Sequence, residues 1–274
     1  PSLCSLMEGA SGCLFREETA MARKSKELGV VKAVDHALDV LEAFGGDADE
    51  LGVTELSKGL GLSKNNVFRL LATFESKGYI EQNPKTESYR LGLKVFEIGE
   101  IYRHQSGLLK QAVPVLKKMV ARCDEAGYIA VRRGWEVIYL DMVDTTKSIK
   151  VISRVGKRLP AYCTAIGKAQ LAYETEDEIN RVFRDRTLKS YTRHTITSLA
   201  DLKDELAEIN ARGYAFDRGE YEEEIICLGV PVRDYTRRVV AGICISGPDF
   251  RMSPERIEKE LVPLVKEAGA EISM

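Results

Sequence analysis

The stretch Leu51–Gly92, LGVTELSKGLGLSKNNVFRLLATFESKGYIEQNPKTESYRLG, decides the N-terminal fold. Its centre is a helical pattern in which Val67, Leu70, Leu71 and Phe74 recur at i, i+3, i+4 and i+7, giving one buried face. Ser63 stands as N-cap, and Lys64, Asn65, Asn66, Arg69 and Thr73 lie off the apolar stripe, where the first turns of a recognition helix meet base edges and phosphates. Upstream, Thr54 opens a short helix carrying Leu56 and Leu60, and Gly59-Leu60-Gly61 turns the chain steeply into the next helix. Still earlier, Val34, Ala37, Leu38, Leu41 and Phe44 form an amphipathic helix expected to close a three-helix core. Downstream, Gly78 ends the central helix. Tyr79-Ile80-Glu81 and Ser88-Tyr89-Arg90-Leu91 then read as strands joined by the turn Asn83-Pro84-Lys85-Thr86. This is the outline of a winged helix-turn-helix with Lys85, Tyr89 and Arg90 on the wing.

Charge supports that outline locally. The 274-residue chain has 40 Lys and Arg against 42 Asp and Glu, a net charge of −2, so it is not a generally basic nucleic-acid coat. Between Gly61 and Lys94, however, Lys64, Arg69, Lys77, Lys85, Arg90 and Lys94 outnumber Glu75, Glu81 and Glu87, a footprint suited to neutralising phosphates. Any one of these lysines alone reads as a solvated surface charge. Their coincidence with the helix spacing and the hairpin favours double-stranded DNA, although some winged helices bind protein.

The length predicts about two domains. No segment reaches the roughly 18 apolar residues of a membrane span. The six cysteines have no paired spacing and no secretory leader precedes them, which points to a reducing cytoplasm. Residues 1–28 lack an apolar period, begin without Met and contain Met7 and Met21; they read as a disordered, upstream-extended or appended leader. Within it Arg23-Lys24-Ser25-Lys26 reads as a solvated tail, with a DNA-brushing arm as the alternative. The winged domain is assigned to 29–92, a linker helix to 93–108 and a second domain to 109–274. In the linker, Leu93, Val95, Phe96, Ile98, Ile101 and Tyr102 are too apolar for a plain spacer. Two readings stand: a helix that pairs two subunits, or one that lies on its own domain.

From Leu109 the pattern is mixed. A helix carries Val113, Leu116, Met119 and Val120; a hairpin, Tyr128 to Arg132 and Glu136 to Met142, turns at Arg133-Gly134; and a strand is expected from Ile149 to Val155. Helices follow near Thr164, at Glu176 to Phe183, and after the capping box Ser198 to Asp201. Strands return at Tyr214 to Phe216, Ile226 to Val232 and Val239 to Ser246, and a last helix opens at Ser253-Pro254. The expected class is α+β, an antiparallel sheet with helices on its faces.

Three stretches in this half resemble one family: Gly156–Ala172 (GKRLPAYCTAIGKAQLA), Gly213–Asp234 (GYAFDRGEYEEEIICLGVPVRD) and Val239–Pro248 (VVAGICISGP). With the winged helix they make the chain, from about Val30 onward, resemble the IclR-type transcriptional regulators. That resemblance implies an operator-binding N-terminal domain, a C-terminal GAF-like domain holding a small organic-acid effector, and a homodimer or dimer of dimers. It also implies that Val151, Leu159, Ala165 and Ile166 line the effector pocket, facing Asp217, Cys227, Cys244 and Ser246. Ile166 is bulkier than the family's usual Ala or Leu, which would narrow the pocket. Ser is more usual where Cys244 stands.

The residues carry other readings beside these. Arg158-Leu159-Pro160 leads to a helix N-terminus at Thr164, whose free amides suit a carboxylate. Asp217-Arg218-Gly219-Glu220 is also a good surface turn; Glu220, Glu222, Glu223 and Glu224 read as a solvated run; and an Asp217 facing an anion would need compensation from Arg154 or Arg158. Cys163, Cys227 and Cys244 read as inert packing, with thiol chemistry or redox sensing as the competing function class. The scattered His36, His104 and His194 suggest no metal, and Gly167-Lys168 belongs to no phosphate loop, so no cofactor is called for. Lys168 reads as a helix-surface or dimer-contact residue rather than a catalytic amine, and no enzymatic role is assigned.

Overall fold

A computed structural model describes residues 30–46 and 48–273. The leader, its basic run, Cys4 and Cys13 lie outside the described residues. The chain divides into two compact units, Pro1–Arg103 and His104–Met274.

In the first unit, α1 (Lys32–Glu42), α2 (Val53–Leu60) and α3 (Lys64–Ser76) are followed by the hairpin β1 (Ile80–Gln82) and β2 (Tyr89–Leu91), then by α4 (Leu93–Gln105). The Gly52 amide donates to Glu55 Oε2 at 2.7 Å to start α2, and Gly61, at φ +68°, ends it in the left-handed region. Ser63 Oγ accepts from the Asn66 amide at 3.3 Å and starts α3. Val67 and Leu71 are buried against Val40, Phe44, Leu56 and Ile80, with Leu70 and Phe74 packed beside them. The first helix differs from expectation. Val40, Leu41 and Phe44 face this core, whereas Val34 and Leu38 are 55% and 51% exposed.

The second unit is a six-stranded antiparallel sheet between two helical layers. It comprises α5 (Gly107–Cys123), β3 (Ala126–Arg133), β4 (Glu136–Val143), β5 (Arg158–Pro160), α6 (Ala165–Leu171), α7 (Glu176–Phe183) and α8 (Leu199–Arg212). Strands β6 (Ala215–Arg218), β7 (Ile225–Arg233) and β8 (Val239–Pro248) follow. The closing helix starts at Pro254–Arg256, passes a π turn at Ile257–Leu261, and continues as α9 (Val262–Ile272). Strand order is β5-β4-β3-β8-β7-β6.

Alternation sorts the strand residues into two cores. Ile129, Leu228, Val230, Ile243 and Ile245 pack under α5 and α9 with Leu116, Met119, Leu264 and Val265. Tyr128, Ala130, Val137, Tyr139 and Cys244 face α6, α7 and α8 through Ile166, Ala169, Ile179, Phe183, Leu202 and Leu206. Helix α6 lies directly on β7. A Cβ on Gly229 would sit 2.7 Å from the Ala165 carbonyl, and one on Gly167 would sit 2.4 Å from Ala161 Cα. The strand expected at Ile149 to Val155 does not form: these residues are irregular chain, and β5 takes the edge of β4 through Leu159 and Val137. Residues of that irregular segment do not alternate. Val151 and Arg154 turn inward, while Ile149, Ile152 and Val155 remain exposed.

Candidate nucleic-acid interface and effector site

Burying Val67 and Leu71 fixes which face of α3 is free. Ser63, Lys64, Asn65, Arg69 and Thr73 are exposed and Asn66 is half-buried, so the face expected to read DNA is available. Lys64, Arg69 and Lys85 have no carboxylate partner among the described residues, which leaves their charge for phosphates or base acceptors. Glu50 holds the wing turn, accepting from Asn83 Nδ2 and Thr86 Oγ1, both at 2.7 Å. These bonds keep the Glu50 carboxyl below its ordinary pKa. Asn83 Oδ1 accepts from the Lys85 amide at 3.0 Å, which presents Lys85 at the tip. Arg90 is exposed and pairs with Glu81 at 3.3 Å. Tyr89 departs from expectation. It is 3% exposed, bridges to Leu51 and joins the core, so it supports the wing from beneath and offers no surface to a duplex.

In the second unit all eight residues expected around an effector are buried: Val151, Leu159, Ala165, Ile166, Asp217, Cys227, Cys244 and Ser246. The sheet register explains the grouping of four of them. Asp217 pairs with Cys227, Cys227 with Ser246 and Ser246 with Ala126, while Cys244 lies between Tyr128 and Gly229 in the neighbouring row. Ser246 Oγ donates to Cys227 Sγ at 3.1 Å and lies 3.7 Å from Cys244 Sγ. Ala165 and Ile166 sit over the same face because α6 presses on Gly229, and Ile166 fills the space above Gly242. Leu159 enters from β5 and Val151 from the irregular segment before it. Tyr128 and Tyr139 meet edge to face at 5.6 Å, and the Tyr128 hydroxyl donates to the Ile152 carbonyl at 3.4 Å.

Asp217 is a turn residue, but a buried one rather than one at the surface. It closes a turn, its Oδ1 accepting from the Glu220 amide at 2.7 Å with Gly219 at φ +75°, and it is 2% exposed. Burial, reinforced by the Glu220 charge, pushes its pKa up to about 7. Glu220 and Lys168 also differ from expectation. Glu220 is 6% exposed and does not share the solvation of Glu222, Glu223 and Glu224. Lys168 is 1% exposed rather than on the surface, and its Nζ contacts Glu220 Oε1 at 2.5 Å and Glu205 Oε1 at 3.5 Å. A lysine on a helix and an acid 52 positions later carry no local signal that they pair. Arg158 is exposed on β5 beside Glu136, whereas Arg154 is 6% exposed.

Burial pushes the Cys244 thiol up to about 12 and raises Cys163 and Cys227 well above the ordinary thiol range, which opposes formation of the nucleophilic thiolate at these three positions. Among the described residues no group of three or more His, Cys, Asp or Glu side chains is placed to hold a metal. No helix among them is long and apolar enough to cross a membrane.

Comparison with known proteins agrees with this geometry in both units. Residues 101–274 match the family model of the bacterial transcriptional regulator IclR C-terminal, and residues 33–84 match the IclR helix-turn-helix domain. The HTH-type transcriptional regulator KdgR of Escherichia coli is 34% identical over 247 residues, covering 88% of this chain and 94% of its own. An IclR transcriptional regulator structure from Alicyclobacillus acidocaldarius superposes with a TM-score of 0.81 at 26% identity, over 89% of this chain and 98% of that one. An IclR homologue from Microbacterium hydrocarbonoxydans, complexed with 4-hydroxybenzoate, shares the fold with a TM-score of 0.75 at 22% identity, over 88% and 97% of the two chains. These relatives are transcription regulators, not enzymes. An exposed polar helix face over a winged core and a second domain with a polar buried face are thus the two halves of one known architecture, and the chain belongs to the IclR family of DNA-binding transcriptional regulators.

Proposed function

We infer that this chain is an effector-controlled operator-binding protein of the cytoplasm, in which Ser63, Lys64, Asn65, Asn66, Arg69, Lys85 and Arg90 meet the duplex. The observation that carries the reading is α3 itself. One face closes the core through Val67 and Leu71, and the opposite face offers Asn65 and Arg69, residue types that read adenine and guanine edges in the major groove. Selection from a random duplex library tests it. The parent is expected to enrich paired half-sites, and the Asn65→Ala/Arg69→Ala double variant to enrich none. Enrichment of the same sequence by both proteins would refute the assignment.

The effector is a small organic acid held among Val151, Leu159, Ala165, Ile166, Asp217, Cys227, Cys244 and Ser246. Support comes from the convergence of these positions on one sheet face and from the aromatic acid bound by the fold relative. A thermal-shift panel of pyruvate, 4-hydroxybenzoate and gluconate, covering keto, aromatic and sugar acids, tests this, since a ligand of the native state raises the midpoint.

The working unit is a homodimer or a dimer of dimers. On α4 no residue is buried, and Leu93, Phe96, Ile101 and Tyr102 are 66%, 64%, 55% and 58% exposed. An apolar helix of this kind belongs against a second copy. A dimer also sets the spacing of two recognition helices on two half-sites.

A further inference from the structure

Among the described residues Arg154 is the only buried arginine, and its ion pair joins a buried guanidinium to an exposed carboxylate. The fully buried Glu125 receives Arg251 and Arg256 through both carboxylate oxygens, at 2.6–2.9 Å. Lys168 and Glu220 are both buried. Arg154, by contrast, has a side chain 7% exposed and is met at 2.8 Å by Glu222, whose side chain is 49% exposed. A guanidinium taken out of water requires a carboxylate, but nothing requires that the carboxylate be fixed in place. Glu222 reaches in from the surface, and its backbone is held separately, its carbonyl accepting from the Ile225 amide at 3.1 Å. The side chain can therefore return to solvent without disturbing the turn.

Arg154 stands among aromatic and titratable groups. Its guanidinium lies 5.4 Å from the centre of the Tyr221 ring and close enough to the Tyr139 phenol to interact with it. It lies close enough to Asp217, Cys227 and Cys244 to influence all three electrostatically. Planar guanidinium between an aromatic face and a phenol is a good carboxylate fork.

Resting on the organic-acid reading above, we propose that Arg154 is the anion anchor of the effector site and that Glu222 is a resident stand-in whose place the effector's carboxylate takes. The ligand class follows from the charges. One carboxylate replaces Glu222 on Arg154, and a hydroxyl of the same molecule serves Asp217 and Ser246, whereas a second carboxylate would meet the ionised fraction of Asp217 and the Glu220 charge beside it. Hydroxy monocarboxylates fit and dicarboxylates do not.

Acetate tests the anchor without knowledge of the effector. Thermal midpoints of the full chain are followed against sodium acetate, with sodium chloride at equal ionic strength as the control. In Glu222→Gln the vacated guanidinium is expected to bind acetate saturably and about tenfold more tightly than in the parent, where Glu222 must be displaced, a difference of about 1.4 kcal/mol. Arg154→Met in the Glu222→Gln background should abolish the response. Arg154→Lys, which keeps the charge and loses the fork, should weaken it and serves if the Met variant does not fold. Equal acetate curves for the parent and Glu222→Gln, or a saturable response that persists without Arg154, would overturn the proposal. Failure of the ligand class is separable: if acetate acts through Arg154 but no acid of the panel binds the parent, the anchor stands and the organic-acid reading falls.

Discussion

Asn65 and Arg69 sit one turn apart on the free face of α3, so each is expected to contribute separately to base discrimination. Arg69→Ala should cost about 1–3 kcal/mol of binding to a selected site and relax preference at one base position, measured by fluorescence anisotropy on single-base variants. Lys85→Ala should weaken binding to all sequences alike and reduce the salt slope by about one, because a wing lysine meets phosphate. Asp217 carries a different signature. Its folded-state pKa of about 7 exceeds the ordinary 3.8, so the folded chain holds a proton that the unfolded chain releases. The stability this proton contributes is fully present below about pH 4 and is lost as the pH rises through about 7. Asp217→Asn, which still accepts the Glu220 amide, should therefore raise the thermal midpoint near neutral pH and leave it nearly unchanged near pH 4. A constant offset at every pH would assign the change to packing rather than to charge. Facing Asp217, the Glu220 carboxylate raises its pKa while Lys168 and Arg154 oppose that shift, so a larger pH dependence is expected wherever Lys168 is also removed.

At the scale of elements, legibility followed the distance over which a signal acts. Helix α3, its Ser63 cap and the Gly78 stop are encoded within one stretch, and the hairpin β3–β4 announces itself through its Arg133-Gly134 turn. Helix α1 was only half legible, since Val34 and Leu38 share helical spacing with Leu41 but turn away from the core that Val40 enters. Apolar residues meant for a partner and apolar residues meant for the core look alike in sequence. Tyr89 was misplaced because a two-stranded wing has one buried side, and alternation alone does not say which. The run Ile149 to Val155 has β-branched composition but does not pair, and β5 takes the β4 edge in its place. The residues proposed to face the effector follow from resemblance, not from spacing, and the proximity of Asp217, Cys227 and Ser246 rests on pairing between strands far apart in the chain. The Lys168–Glu220 pair was invisible for the same reason. Lys168→Ala strands Glu220 in the interior and should destabilise the chain by about 3–5 kcal/mol, whereas Lys168→Met/Glu220→Leu should recover much of that loss in denaturant unfolding. If the double variant is no more stable than Lys168→Ala, the pair is not coupled.

Across the whole molecule, the proposed function requires two properties together: association of copies, and an acid in one domain that alters what the other binds. Sedimentation should give at least twice the 30.6 kDa chain mass for the parent, and Phe96→Glu/Ile101→Glu should move it towards one chain while the helical content is retained. A dimer unaffected by those charges would place the interface elsewhere. Linkage bounds the second property, for an effector shifts operator affinity only by its differential affinity for the two arrangements, typically 1–3 kcal/mol. The most direct measurement is therefore operator affinity by anisotropy, with and without a saturating concentration of the panel acid that raises the thermal midpoint most, in the parent and in Asp217→Ala. The expected result is a change of at least about fivefold in the parent, and little or none in the variant, whose affinity without acid equals the parent's. An acid that binds and stabilises the parent yet leaves its operator affinity untouched would contradict effector control.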